Sequence, residues 1–239
     1  MADDDPGYTE TPSLPHAPYG VHDPDRPHPE TVEPGRPAFP GPPGDATILY
    51  DGGPLTGWEC TDGAHPDWVV TSEYAKVAPG SGDIRTKTPI GDCQLHLEWA
   101  APAVISGASQ GRGNSGVFLM DRYEIQVLDN YDNPTYADGY AGAVYGQEPP
   151  LVNPLRPPGE WQSYDILWRA PRFDDNELLE PARVTAFCNG VLIQDDFELN
   201  GPTTHKDVAG YDPHPQAAPL RLQDHGDEVR FRNIWVRER

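Results

Sequence analysis

The chain has 239 residues, enough for one large β-domain plus an appendage, and its six Trp and eleven Tyr supply the apolar surface of a real core. Its formal net charge of -21 sets nucleic acid and anionic membrane aside as partners, because the phosphate term is repulsive and only three Lys are present to oppose it. No apolar run approaches the roughly 18 residues of a spanning helix.

Residues 1–45 stand apart from the rest. Twelve of the 29 prolines fall in the first 43 positions, interleaved with Asp, Glu and His and without an apolar period. Such a segment buries too little surface to offset its ordering entropy, so alone it is expected to be extended or disordered. Two readings stay open. It is an arm that wraps the domain or a neighbouring subunit through Tyr8, Tyr19 and Phe39, which implies a homo-oligomer in the second case, or it is a solvated leader. His16, His22 and His28 look incidental there. The start MADDDPGYTE has neither the basic nor the apolar stretch of a secretory signal. A cytoplasmic location is therefore expected for the chain as written, a periplasmic or secreted one if a leader has been removed.

Residues 46–239 read as one β-domain. ILYDGGPLTGWE opens with an apolar strand and a Gly-Gly-Pro turn, and GDCQLHLEWAAP alternates, with Leu95, Leu97 and Trp99 on one face and Gln94, His96 and Glu98 on the other. GNSGVFLM, RYEIQVLD and EWQSYDILWRA continue the pattern, and RVTAFC-NG-VLIQDDFEL is a hairpin with an Asn-Gly turn. The chain ends in LRLQDHGDEVRFRNIWVRE, read as two strands joined by a His-Gly-Asp turn. Many strands, long Pro/Gly loops and no helical periodicity predict an all-β, two-sheet antiparallel sandwich. Cys60, Cys93 and Cys188 are odd in number, widely spaced and without a C-x-x-C pair, which argues for free thiols over a disulfide framework or a zinc knuckle.

Alternation in RYEIQVLD sends Tyr123, Ile125 and Val127 inward and puts Glu124 and Gln126 together on the opposite face, a carboxylate beside an amide suited to proton transfer and hydroxyl recognition. A merely solvated strand face looks similar. In LRLQDHGDE, Leu220 and Leu222 point inward, so Gln223 and His225 share the other face; a lone turn histidine is the plainer alternative. Asn114, flanked by small residues in GRGNSGVFL, marks a place where a ligand can approach the backbone, or a bulge. His65, His96, His205 and His214 show no metal-ligand spacing. Retaining sandwich glucanases take two carboxylates from an E-x-D-x-x-E strand; here the string is Glu124-x-Gln126-x-x-Asp129, whose middle acid is an amide, which disfavours an ordinary two-carboxylate mechanism.

Taken in order, LYDGGPLTGWE, GDCQLHLEWA, GNSGVFLMDRYEIQVLD, GAVYG, PPGEWQSYDI, the CNGVLI hairpin and LRLQDHGDEVRFRNIWVRE resemble the 3-keto-disaccharide hydrolase domain family over about Thr47 to Glu238. The resemblance implies a concanavalin-like jelly roll and action on sugars oxidised at C3. It implies cleavage by removal of the C2 proton, elimination at C1 and addition of water, with Glu124 and His225 as the proton-transfer pair in either order. Asn114, Gln126, Asp129, Tyr145, Gln223 and Arg232 follow as candidates for binding hydroxyls or the enolate oxygen. The stretch PTYADGYAGAVYGQEPPLVNP is expected to roof the sugar site, with Tyr136, Tyr140 and Tyr145 as stacking faces. The acidic proline-rich leader departs from a family in which many members carry an export signal, which leaves the compartment open.

Two other functions remain on the table: a non-catalytic sugar-binding sandwich, and a conventional glycosidase if a carboxylate such as Glu98 lies about 5–9 Å from Glu124. No cofactor is required by the chemistry. Asp129-Asn130-Tyr131-Asp132-Asn133 reads either as oxygen ligands for a bound calcium or as Asx-rich turns.

Overall fold

The structure, a computed structural model, describes residues 7–36 and 41–239; Phe39, one of the expected arm anchors, lies outside the described residues. Two antiparallel sheets form a jelly-roll sandwich. In the larger, Val191–Glu198, Arg183–Cys188, Gln162–Arg169, Cys93–Ala100, Arg230–Glu238, Ala75–Lys76 and Val69–Val70 lie side by side in that order, and Thr47–Tyr50 pairs along Arg230–Glu238. The smaller sheet runs Trp58–Cys60, Ile84–Thr86, Arg221–Leu222, Ser115–Leu119, Tyr123–Val127.

Period-2 alternation explains the core between them. Leu95, Leu97, Trp99, Tyr164, Ile166, Trp168 and Phe231 come from the larger sheet; Trp58, Ile84, Val117, Tyr123, Ile125 and Leu222 come from the smaller, and all are almost fully buried. Cys93 and Cys188 are buried thiols within it, and all three cysteines are free. At the tip of the 183–198 hairpin, Asn189 and Gly190 both have positive φ, 54° and 79°, as a type I′ turn requires.

One expectation needs correction. Arg221–Leu222 and Arg230–Glu238 are not hairpin partners: they belong to different sheets, and residues 223–229 cross the edge of the sandwich. Register shows why: Leu222 is held between Ile84 and Val117 in the smaller sheet, while Arg230 and Phe231 pair with Ala100 and Trp99 in the larger. On the outer face of Cys93–Ala100, His96 and Glu98 are covered, 0% and 1% exposed. A bulge between Arg232 and Trp235, with Asn233 at φ 47°, folds side chains over them. Trp235 stacks on the His96 ring at 5.1 Å, Asn233 Nδ2 donates to Glu98 Oε1 at 2.6 Å, and Arg232 Nε donates to Glu98 Oε2 at 2.6 Å.

The proline-rich arm lies on its own chain. Leu14, Val21 and His22 are buried, Arg26 Nη1 donates to the Gln147 carbonyl at 2.8 Å, and Glu30–Thr31 pairs in parallel with Val152–Asn153. Among the described residues no helix is long and apolar enough to cross a membrane.

Candidate active site

The strand Tyr123–Val127 has Tyr123, Ile125 and Val127 in the core, so Glu124 and Gln126 project from the outer face of the smaller sheet. That face is roofed rather than bare. Tyr136 and Tyr145 from the 134–154 loop, Thr203 and His205, and Tyr8 of the arm enclose a cleft of about 540 Å3 over it, a size suited to a small sugar.

Glu124 is 5% exposed. Room for its carboxyl comes from Gly116 on the neighbouring strand, where a Cβ would lie 2.3 Å from Oε1. Its backbone is pinned, with the Glu124 N–H donating to Thr203 Oγ1 at 2.9 Å and its carbonyl accepting from Tyr145 N–H at 3.2 Å. Burial pushes the Glu124 carboxyl up to about 8; Arg221 pulls the other way, Asp83 adds to the rise, and no hydrogen bond to the carboxyl contributes. Arg221 lies over the Phe118 ring and is itself paired with Asp83 and Asp121, which limits its effect.

A run of amides lines the cleft beside this acid. Gln126 Nε2 donates to Gln110 Oε1 at 2.9 Å, Gln110 Nε2 donates to Thr135 Oγ1 at 2.9 Å and to the Gly139 carbonyl at 3.0 Å, and Asn114 Nδ2 donates to the Gln110 carbonyl at 2.7 Å. Their remaining lone pairs and protons are fixed in direction before any ligand arrives. The phenols of Tyr136 and Tyr145 are 2.7 Å apart, and Tyr145 Oη is 3.3 Å from His205 Nδ1. Burial raises both phenols well above their usual range, so they stay neutral donors.

His225 is exposed at the rim. Its loop is braced on both sides: Gln223 N–H donates to the Gly116 carbonyl at 3.1 Å, Gly82 N–H donates to Asp224 Oδ2 at 2.9 Å, and Asn114 N–H donates to Asp227 Oδ2 at 2.9 Å.

Six of the eight site residues named from sequence, Glu124, His225, Asn114, Gln126, Tyr145 and Gln223, therefore line one cleft. Asp129 does not. The chain leaves the strand register after Val127, Leu128 becomes wholly buried, and Asp129 turns to accept from Arg112 Nε at 2.7 Å beside a separate hollow. Arg232 does not either, because its strand belongs to the other sheet, where it binds Glu98 and stacks over Trp161 at 4.0 Å. Gln110, Thr203 and His205 also line the cleft, and sequence alone gives no periodic signal for them; Tyr8, an expected arm anchor, completes its wall, while Tyr140 packs on His28 instead. His22 is not incidental: it is fully buried, with Nδ1 3.0 Å from Asp138 Oδ1.

Among the described residues Glu124 is the sole carboxyl lining the cleft, and Glu98 faces a different hollow with Asp51 and Glu73. Among the described residues, the flanking pair of carboxyls used by ordinary glycosidases does not line this cleft. In the 129–133 loop, Asp129 is engaged by Arg112, Asn130 Oδ1 accepts from Ala141 N–H at 2.7 Å, and Asn133 Oδ1 accepts from Ser109 N–H at 2.7 Å. No group of three His, Cys, Asp or Glu among the described residues is placed to hold a metal ion.

Residues 45–237 match the family described as 3-keto-alpha-glucoside-1,2-lyase-like domain. A candidate glycosyl hydrolase of Parabacteroides distasonis ATCC 8503, solved at 2.13 Å, is 41% identical, with a TM-score of 0.81 over 88% of this chain and 94% of that one. A second from the same organism, at 1.70 Å, is 19% identical with a TM-score of 0.59 over 81% and 94% of the two chains, a likeness of fold. A search of curated proteins gives no match.

Proposed function

The chain belongs to the 3-keto-alpha-glucoside-1,2-lyase-like domain family, and from that premise we propose that it cleaves 3-keto-glycosides by elimination across C1 and C2 followed by addition of water. The ketone at C3 acidifies the C2 proton, so a side chain of ordinary basicity can remove it. His225, at the open rim, takes that proton; the C2–H electron pair forms the enolate of C3. The enolate collapses back to the ketone as C1=C2 forms and the C1–O bond breaks. Glu124, buried and neutral below about 8, gives its proton to the leaving oxygen. Water then adds to C1 of the enone. Glu124, now a carboxylate, takes the water proton, and His225 returns the first proton to C2, so both groups end as they began. The amides of Gln110, Asn114, Gln126 and Gln223 and the phenol of Tyr145 orient the hydroxyls and meet the developing charge on the C3 oxygen.

One observation carries this reading: a single carboxyl, pushed up to about 8 by burial, shares a sugar-sized cleft with two histidines, His205 and His225, and, among the described residues, with no second carboxyl. The expected result is cleavage of a 3-keto-glucoside and not of the unoxidised sugar, with deuterium appearing at C2 of product formed in D2O. Glu124→Gln and His225→Ala each reduce kcat about 10²–10⁴-fold, the size of general acid–base catalysis. Saturable sugar binding with no turnover of any 3-keto substrate would instead identify a non-catalytic sugar-binding sandwich.

A further inference from the structure

Resting on the elimination reading above, we infer that the proline-rich arm is part of the catalytic cleft and that Tyr8 selects the leaving group by stacking on a flat, apolar ring face. The family match begins at residue 45, yet the cleft wall is completed by Tyr8, thirty-seven positions before it. Tyr8 is fixed in place. Its N–H donates to the His22 carbonyl at 2.8 Å, the Lys206 ammonium sits 3.4 Å from its ring centroid, and the Tyr136 and His205 rings lie 6.0 and 6.1 Å away. The preceding Gly7 is pressed against the next turn of the arm, where a Cβ would come 2.5 Å from the His22 carbonyl oxygen and 2.8 Å from Pro24 N.

What holds the arm also holds the roof. His22 Nδ1 lies 3.0 Å from Asp138 Oδ1, the His22 N–H donates to Asp138 Oδ2 at 2.9 Å, and both side chains are wholly buried. The His22 ring packs on Tyr136 at 4.1 Å and on Tyr145 at 4.8 Å, two residues that line the cleft. A segment resting loosely on the surface does not bury a hydrogen-bonded polar pair, because each desolvated group needs its partner held in place.

The lining divides by chemistry. Beside Glu124 are the Phe118 ring of the paired strand and a set of amides that suit the hydroxyls and ketone of the sugar being cleaved; Tyr8, Tyr136, Tyr145 and His205 form an aromatic wall. Aromatic faces favour a ring with an apolar face, found both in an aryl aglycone and in the C–H side of a second pyranose. The leaving group is the part of the substrate that has this chemistry to offer.

The test compares the 3-keto derivatives of methyl glucoside, phenyl glucoside and a glucose disaccharide. With Tyr8→Ala, the ratio of kcat/KM for a ring-bearing substrate over the methyl one falls about tenfold, the worth of an aromatic contact, and the substrate showing the larger fall identifies aryl or sugar as the occupant. Tyr8→Phe, which keeps the ring face, retains the wild-type ratio. An unchanged ratio in Tyr8→Ala, or a Tyr8→Phe loss equal to that of Tyr8→Ala, overturns the inference. If the wild type turns over none of the three, the elimination reading has failed and the arm is judged by calorimetry with the unoxidised phenyl glucoside and disaccharide. Binding about tenfold weaker in Tyr8→Ala supports the subsite, and unchanged or undetectable binding overturns it.

Discussion

A carboxyl group held out of water opposes folding wherever pH favours its charged form. Glu124 rises from an ordinary 4.5 to about 8 through burial, so its folded pKa lies above its unfolded one. Its contribution to stability is then complete below about 4.5 and is lost as pH climbs through 8, by roughly 5 kcal/mol at 1.36 kcal/mol per unit. Glu124→Gln removes that titration at nearly constant shape. It is expected to match the wild type at pH 4.5, to exceed it by several kcal/mol at pH 9 in urea unfolding, and to have its activity reduced about 10²–10⁴-fold. A variant with no pH-dependent gain would show that the carboxyl is not desolvated. The same proton sets the rate: wild-type kcat/KM should fall as pH rises through about 8, since the acid that protonates the leaving oxygen is then spent, and this alkaline limb should be absent from the residual activity of Glu124→Gln. Gly116→Ala tests the geometry from the neighbouring strand. Its methyl would displace Oε1, with about a hundredfold loss of kcat, in keeping with the cost of a misplacement near 1 Å. Glu124 and Gln126 could be read from sequence because alternation is a property of the strand itself. Asp129 could not, because the register ends two residues earlier, and Gln110 and His205 reach the cleft only through loop paths that no period encodes.

At the scale of elements, every strand run recognised by alternation has a counterpart in the sandwich, and the Asn189-Gly190 turn adopts the backbone its two residues favour. The partnership of strands was less legible. The run 220–238 reads as a hairpin, and it becomes a sheet-to-sheet crossing because Leu222 and Phe231 each find core partners in different layers. That crossing carries His225 to the cleft and sends Arg232 to the far face. The bulge at Asn233 has a second consequence. It closes over His96, where burial disfavours the charged imidazole but Asp165 at 2.7 Å and Glu98 outweigh it, pushing the group up to about 9. This raised pKa stabilises the fold fully below 6.5 and ceases to do so as pH rises through 9, a swing of roughly 3 kcal/mol. His96→Gln should unfold with that part of the slope between pH 6.5 and 9 missing, while turnover at the distant cleft persists in the folded protein. Slopes that coincide for the two proteins would place the proton elsewhere.

Over the whole molecule, the arm joins a segment with no core of its own to a domain that has one. Composition predicts that residues 1–45 do not fold alone, and it is silent on where residues 7–36 dock, because their contacts are long-range: Arg26 on Gln147, Glu30–Thr31 on Val152–Asn153, and a buried His22–Asp138 pair whose partners lie 116 positions apart. Truncating one member of a buried pair leaves the other desolvated and uncompensated. His22→Ala is therefore expected to cost about 1–3 kcal/mol in urea unfolding, more than loss of a surface loop contact. Asp138→Ala should cost a similar amount. Removing both leaves no stranded polar group, so the double variant should be more stable than the sum of the singles implies, by more than about 1 kcal/mol. Four unfolding curves close the cycle. If the two losses add within about 0.5 kcal/mol, the arm is not docked through this pair in solution, and the aromatic wall above Glu124 must then be held by the 134–154 loop without it.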